Sequence, residues 1–70
     1  MYLHTWDFGG GRLALYSDDG EAWKAARAAG LVEVAEYRRR DGKIVARQFA
    51  GEKEKVLELF KRLKKAGNGA

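Results

Sequence analysis

The sequence predicts an α+β domain of order ββαββα, with a four-stranded, mostly antiparallel sheet carrying both helices on one face. Three observations predict it. Period-two alternation recurs in four short stretches. Two turn signals, Gly9-Gly10-Gly11 and Arg40-Asp41-Gly42-Lys43, each separate two such stretches. After each strand pair comes a run with apolar residues at helical spacing. A chain of 70 residues makes one domain, placed at residues 1–66, with residues 67–70 as a flexible tail.

Residues 2–8 form the first strand, with Tyr2, His4, Trp6 and Phe8 at alternate positions and hence on one side. After the glycine turn, residues 12–17 form the second, where Leu13 and Leu15 alternate with Arg12, Ala14 and Tyr16. Asp18 with Glu21 reads as a capping box, Ser17 being the alternative N-cap. The helix runs over residues 21–29 with Trp23, Ala26 and Ala29 on one face and Gly30 in the C′ position. Residues 31–39 form the third strand and residues 44–50 the fourth, ended by Gly51. A second helix spans residues 52–66, with Val56, Leu59, Phe60 and Leu63 as its apolar stripe. Its acidic start and basic end both suit the helix dipole.

Each hairpin admits two registers, and a slip of one residue exchanges the two faces. A three-glycine loop puts Tyr2, His4, Trp6, Phe8, Arg12, Ala14 and Tyr16 together, opposite Leu13 and Leu15. A two-glycine loop pairs Asp7 with Arg12 and places Trp6 with Leu13. In the second hairpin, a three-residue loop over Arg40-Asp41-Gly42 puts Tyr37, Arg39, Lys43, Arg47 and Phe49 on one face, with Val32, Val34, Ile44 and Ala46 on the other. A two-residue Asp41-Gly42 turn sets Glu36 opposite Arg47 and moves Phe49 to the side of Val32 and Val34. The three-residue loops are favoured because both leave aliphatic strand residues for the helices.

Composition narrows the function classes. The chain has no Cys and a single His, His4, so thiolate metal sites and disulfides are excluded. No Ser–His–Asp set is legible, Ser17 being explained as a cap, and Asp18-Asp19 with Glu21 fits helix capping more simply than a cation site. Gly9-Gly10-Gly11 lacks the following Lys-[Ser/Thr] and helix of a phosphate loop. An enzyme, a metal and a cofactor are therefore not expected. There is no apolar run of membrane-spanning length and no signal-peptide pattern at Met1–Asp7, so a cytoplasmic protein is expected. Scarce Asn, Gln and Met with 34% charged residues suggest a thermophile.

Charge is divided unevenly. Residues 1–37 hold three basic against six acidic residues, and residues 38–70 eleven against four, for a net +4. A basic half favours a polyanionic partner. Flat rings beside guanidinium groups suit unstacked bases and phosphates. The expected binding residues are Tyr2, Trp6, Phe8, Tyr37 and Phe49 for stacking, with Arg12, Arg38, Arg39, Lys43 and Arg47 for phosphates. The alternative is that the same aromatic face is a homo-oligomer interface, in a dimer or tetramer. A domain of this size buries only about 60% of its unfolded surface and gains from assembly.

On Tyr2, Trp6, Phe8, Tyr37, Phe49 and the neighbouring Arg residues, the chain resembles the small archaeal single-stranded DNA-binding proteins of the ThermoDBP-related group. The resemblance is one of size, composition and style across the domain, without a specific motif, and the coiled-coil extension of larger members is absent. It implies sequence-tolerant binding of single-stranded DNA, or of RNA, in an apolar cleft flanked by basic residues. RNA-recognition-motif domains also offer sheet aromatics to bases, but their element order is βαββαβ and no segment here matches their motifs.

Overall fold

The computed structural model describes residues 2–68. Strands β1 (Leu3–Gly9) and β2 (Arg12–Ser17), helix α1 (Gly20–Ala28), strands β3 (Val32–Arg38) and β4 (Ile44–Glu52) and helix α2 (Lys53–Asn68) follow in that order. This is the expected ββαββα arrangement. The strands form one antiparallel sheet of order β1-β2-β4-β3, so β2 and β4 are central and β1 and β3 are edges.

Local chemistry explains where the elements start and stop. The N-cap of α1 is Asp19, not Asp18 or Ser17: its carboxylate accepts the Glu21 N–H at 2.9 Å. Ser17 is instead buried, its hydroxyl donating to the Tyr2 carbonyl at 2.8 Å and accepting the Asp19 N–H at 3.1 Å. Gly30, at φ +84°, closes α1 in the left-handed conformation that a Cβ disfavours. The N–H groups of Gly30 and Leu31 then cap the carbonyls of Arg27 and Ala26, both at 3.0 Å. Helix α2 continues through Gly67 to Asn68, past the expected end at residue 66. The rest of the expected flexible tail, Gly69 and Ala70, lies outside the described residues.

Gly51 does not end β4. It pairs with Leu13 inside the strand, and a Cβ there would collide with the Leu31 side chain. The glycine is kept for close packing rather than for a turn.

The core lies between the sheet and the two helices. Leu15, Phe49, Val56 and Leu59 are its largest fully buried side chains, joined by Ala22, Ala26, Leu31 and Leu63. Burying each of the larger ones contributes about 1.5–3 kcal/mol. In α1, Ala22 and Ala26 face the core, while Trp23 and Ala29 are half-buried at its margin. The thinnest dimension is 19 Å, room for one sheet and one layer of helices. The second face of the sheet therefore has no covering layer. No helix among the described residues is long and apolar enough to cross a membrane.

Candidate nucleic-acid interface

The helix-free face is built first by the β1–β2 hairpin. His4 pairs with Tyr16 and Trp6 with Ala14, so the rings of β1 stand beside those of β2. Leu13 and Leu15 turn to the helices, as the favoured register requires. That register is reached by another route, however. Gly9 pairs with Arg12, leaving a two-residue Gly10-Gly11 loop, and a bulge at Phe8 restores the favoured pairing along the rest of the hairpin.

The rings form a continuous path. Ring centroids are 5.4 Å apart for Trp6 and His4, 6.4 Å for His4 and Tyr2, 5.6 Å for Tyr2 and Tyr16, and 5.5 Å for Tyr16 and Tyr37. At the far end of β1, the Arg12 guanidinium lies 5.4 Å from the centroid of Phe8. Tyr2, Trp6, Phe8 and Tyr37 are between 36% and 55% exposed, which core aromatics are not. The Tyr37 hydroxyl donates to Gln48 Oε1 at 3.0 Å, fixing that ring over the neighbouring strand. Between Tyr2, His4, Trp6, Tyr16 and Asp18 the face sinks into an open concavity of about 390 Å³.

The path leads to a basic hairpin tip. Ser17 pairs with Arg47, and Tyr37 with Ala46. The β3–β4 turn therefore projects beyond the end of the sheet where Tyr2, Tyr16 and Tyr37 stand. The turn is a three-residue loop: the Arg39 N–H donates to the Lys43 carbonyl at 2.8 Å. Asp41 accepts the Lys43 N–H at 3.0 Å and the Arg39 guanidinium at 2.8 Å. These bonds, the backbone one foremost, hold the Asp41 carboxyl below its ordinary range. Arg38 donates to Glu36 at 2.9 Å and to the Gly42 carbonyl at 2.8 Å. Arg40 and the Lys43 ammonium have no carboxylate partner among the described residues.

Two of the expected binding residues lie on the other side of the sheet. Phe49 is 1% exposed, pairs with Leu15 and belongs to the core. Arg47 also turns toward the helices. It forms ion pairs with Glu33 and Glu36, and its guanidinium lies 5.1 Å from the Trp23 ring centroid. Its Nε is buried without a hydrogen-bond partner among the described residues, so this side chain is committed to packing. Glu33 is held below the ordinary carboxylate range, first by the hydrogen bond from Arg27 and then by that from Arg47, against an opposing desolvation cost.

Pairing of Phe49 with Leu15 sets this parity of β4 inward, and a pair of register shifts separates Tyr37 from it. The three-residue turn sets Arg38 against Ile44, and a shift at Tyr37/Arg38 then moves the pairing by one, giving Glu36 opposite Arg47. A second shift between Glu33 and Ala35 leaves Val34 without a partner. The middle of the hairpin therefore has the register of a two-residue turn, although its turn has three residues.

The candidate surface thus gathers Tyr2, Trp6, Phe8, Arg12 and Tyr37 on the sheet, with Arg38, Arg39 and Lys43 at the tip. It excludes Arg47 and Phe49. It also includes Asp18, which reads in the sequence as a helix cap; its position two residues after Tyr16 is the signal that aligns it with this face. Among the described residues no group of acidic and histidine side chains is arranged to hold a metal ion. No family model, curated protein or solved structure matches the chain.

Proposed function

We propose that this protein binds single-stranded nucleic acid, with little sequence preference along most of the strand, on the helix-free face of its sheet. The observation that supports the reading is the unbroken path of rings from Trp6 to Tyr37, exposed except for the half-buried Tyr16, leading toward the Arg38–Lys43 tip. Stacking contributes about 1–3 kcal/mol per base and tolerates any base, because each has a π-face. Arg12 at one end and the tip at the other would meet the phosphates of a strand laid along the rings. Duplex bases, already stacked and paired, could not reach them.

Fluorescence titration with labelled single-stranded and duplex oligonucleotides at two salt concentrations tests this. Single strands should bind more tightly than duplex, and log affinity should fall with log salt by about 0.7 per phosphate neutralised. Equal affinity for both forms, or no binding to either, would remove the proposal.

A second reading has its own observation. Edge strand β3 exposes Val32, Val34 and Tyr37 along its length, and an apolar edge strand suits a homo-oligomer interface. Light scattering in high salt tests it: an apolar interface persists as salt rises, whereas phosphate contacts weaken. A monomer mass at micromolar concentration would reject it.

A further inference from the structure

We infer that the concavity lined by Tyr2, His4, Trp6, Tyr16 and Asp18 is a subsite for one guanine base. The inference rests on the single-strand reading above and adds a base preference to it. Four of the five lining residues are rings, which meet the faces of a base, and the fifth is an acid. Unlike Glu36 and Asp41 at the tip, Asp18 has no cationic partner among the described residues, so its charge is not offset and would repel a phosphate. Asp18 is kept in position by its backbone contact: Oδ1 accepts the Tyr2 N–H at 2.8 Å. Oδ2 has no hydrogen-bond partner among the described residues, and the residue is exposed.

A carboxylate accepts hydrogen bonds and donates none, with about four lone-pair sites over its two oxygens. The base that suits it presents adjacent N–H donors. Guanine does so with N1–H and N2–H₂. Adenine and cytosine present one amino group beside a ring-nitrogen lone pair, and thymine one N–H between two carbonyls. In those three, a lone pair would face the carboxylate. A concavity of rings with one acid also has the character of a site for a methylated ammonium ion. The net charge of +4 and the cationic tip beyond Tyr37 oppose a cation and favour a polyanion.

The test compares short single strands carrying one guanine, adenine, cytosine or thymine in an otherwise abasic backbone. The guanine strand should bind about tenfold more tightly than the others, within the range of a bidentate base contact. Hypoxanthine, which lacks the 2-amino group, should lose about fivefold relative to guanine, and 7-deazaguanine should lose nothing. Asp18→Asn keeps an acceptor for the Tyr2 N–H but turns a donor toward the base, and should abolish the preference while the salt dependence of binding stays. Equal binding of all four bases, or a guanine preference that hypoxanthine and Asp18→Asn leave intact, overturns the subsite but not the single-strand reading. Failure of every strand to bind overturns both. Saturable binding of trimethyl-lysine that Asp18→Asn abolishes, without guanine discrimination, would reassign the concavity to a cation. The modified-base arm uses the unaltered protein and stands even where the variant does not fold.

Discussion

The two hairpins use the same device and reach opposite results. In both, the turn by itself implies one register and a bulge replaces it with another. In the β1–β2 hairpin the bulge lies at Phe8, beside the loop, and nearly the whole ladder keeps one alternation. The rings of β1 then share the open face, and Leu13 and Leu15 pack against the core. In the β3–β4 hairpin the shifts lie at Tyr37/Arg38 and at Val34, so the alternation changes inside the ladder. Tyr37 remains with the rings, while Arg47 and Phe49 cross to the helices. Turn length therefore predicts faces only as far as the first bulge.

Packing accounts for the second hairpin's departure. Phe49 inside sits against Leu15 and the α2 residues Val56 and Leu59. In the unshifted register Tyr37 would share the face of Arg47 and Phe49, and would turn to the helices with them. The pairing of Phe49 with Leu15 turns that parity of β4 inward, and the two shifts keep Tyr37 on the open face. The same parity brings Arg47 inward as well, and that cation is accommodated at the sheet margin by Glu33, Glu36 and the face of Trp23.

Four experiments bear on this contrast. The largest expected effect is that of Phe49→Ala, which should lower stability by about 3–5 kcal/mol, as for a buried aromatic. Urea denaturation measures it; a drop below about 1 kcal/mol would mean that β4 has the opposite face inward. Arg47→Ala should cost about 1–3 kcal/mol, because its charged hydrogen bonds and ring packing disappear together. It should leave the salt dependence of oligonucleotide binding unchanged, whereas Arg39→Ala with Lys43→Ala should flatten the slope by about 0.7 for each phosphate no longer neutralised. A flattened slope in Arg47→Ala would return that residue to the interface.

Trp6→Ala addresses the first hairpin. Affinity for single strands should fall by about 1–3 kcal/mol, while thermal unfolding shifts far less than in Phe49→Ala. A folded variant that binds as tightly as the parent would remove Trp6 from the stacking path.

The smallest effect is pH dependence. Glu33 and Asp41 both belong to the second hairpin, and both carboxyls are lowered in the folded state. A lowered folded pKa adds stability that is present above the ordinary carboxylate range and fades as pH falls through the lowered one. Melting temperature should therefore decline on acidification, and Glu33→Gln should make that decline shallower. An identical acid profile in Glu33→Gln would separate the Arg47 cluster from stability.

Element order and the fold class follow from local signals alone. The glycine-bearing turns, the helical stripe of Val56, Leu59 and Leu63, the Gly30 stop and the alternation of Tyr2, His4, Trp6 and Phe8 all act over a few residues. The first strand's rings are legible because one parity is aromatic and the intervening residues, Leu3, Thr5 and Asp7, contain no competing ring. In β4 both parities hold apolar residues: Ile44, Ala46 and Ala50 on one, Val45 and Phe49 on the other. Periodicity cannot choose between them. The choice falls to long-range packing, in which Phe49 fills the space between Leu15 and α2 and single-residue bulges absorb the mismatch. Asp18 is obscured for a similar reason: Ser17, Asp18 and Asp19 are all competent N-caps, and only the pairing of Leu3 with Ser17 brings the Tyr2 N–H to Asp18 and leaves Asp19 to cap the helix.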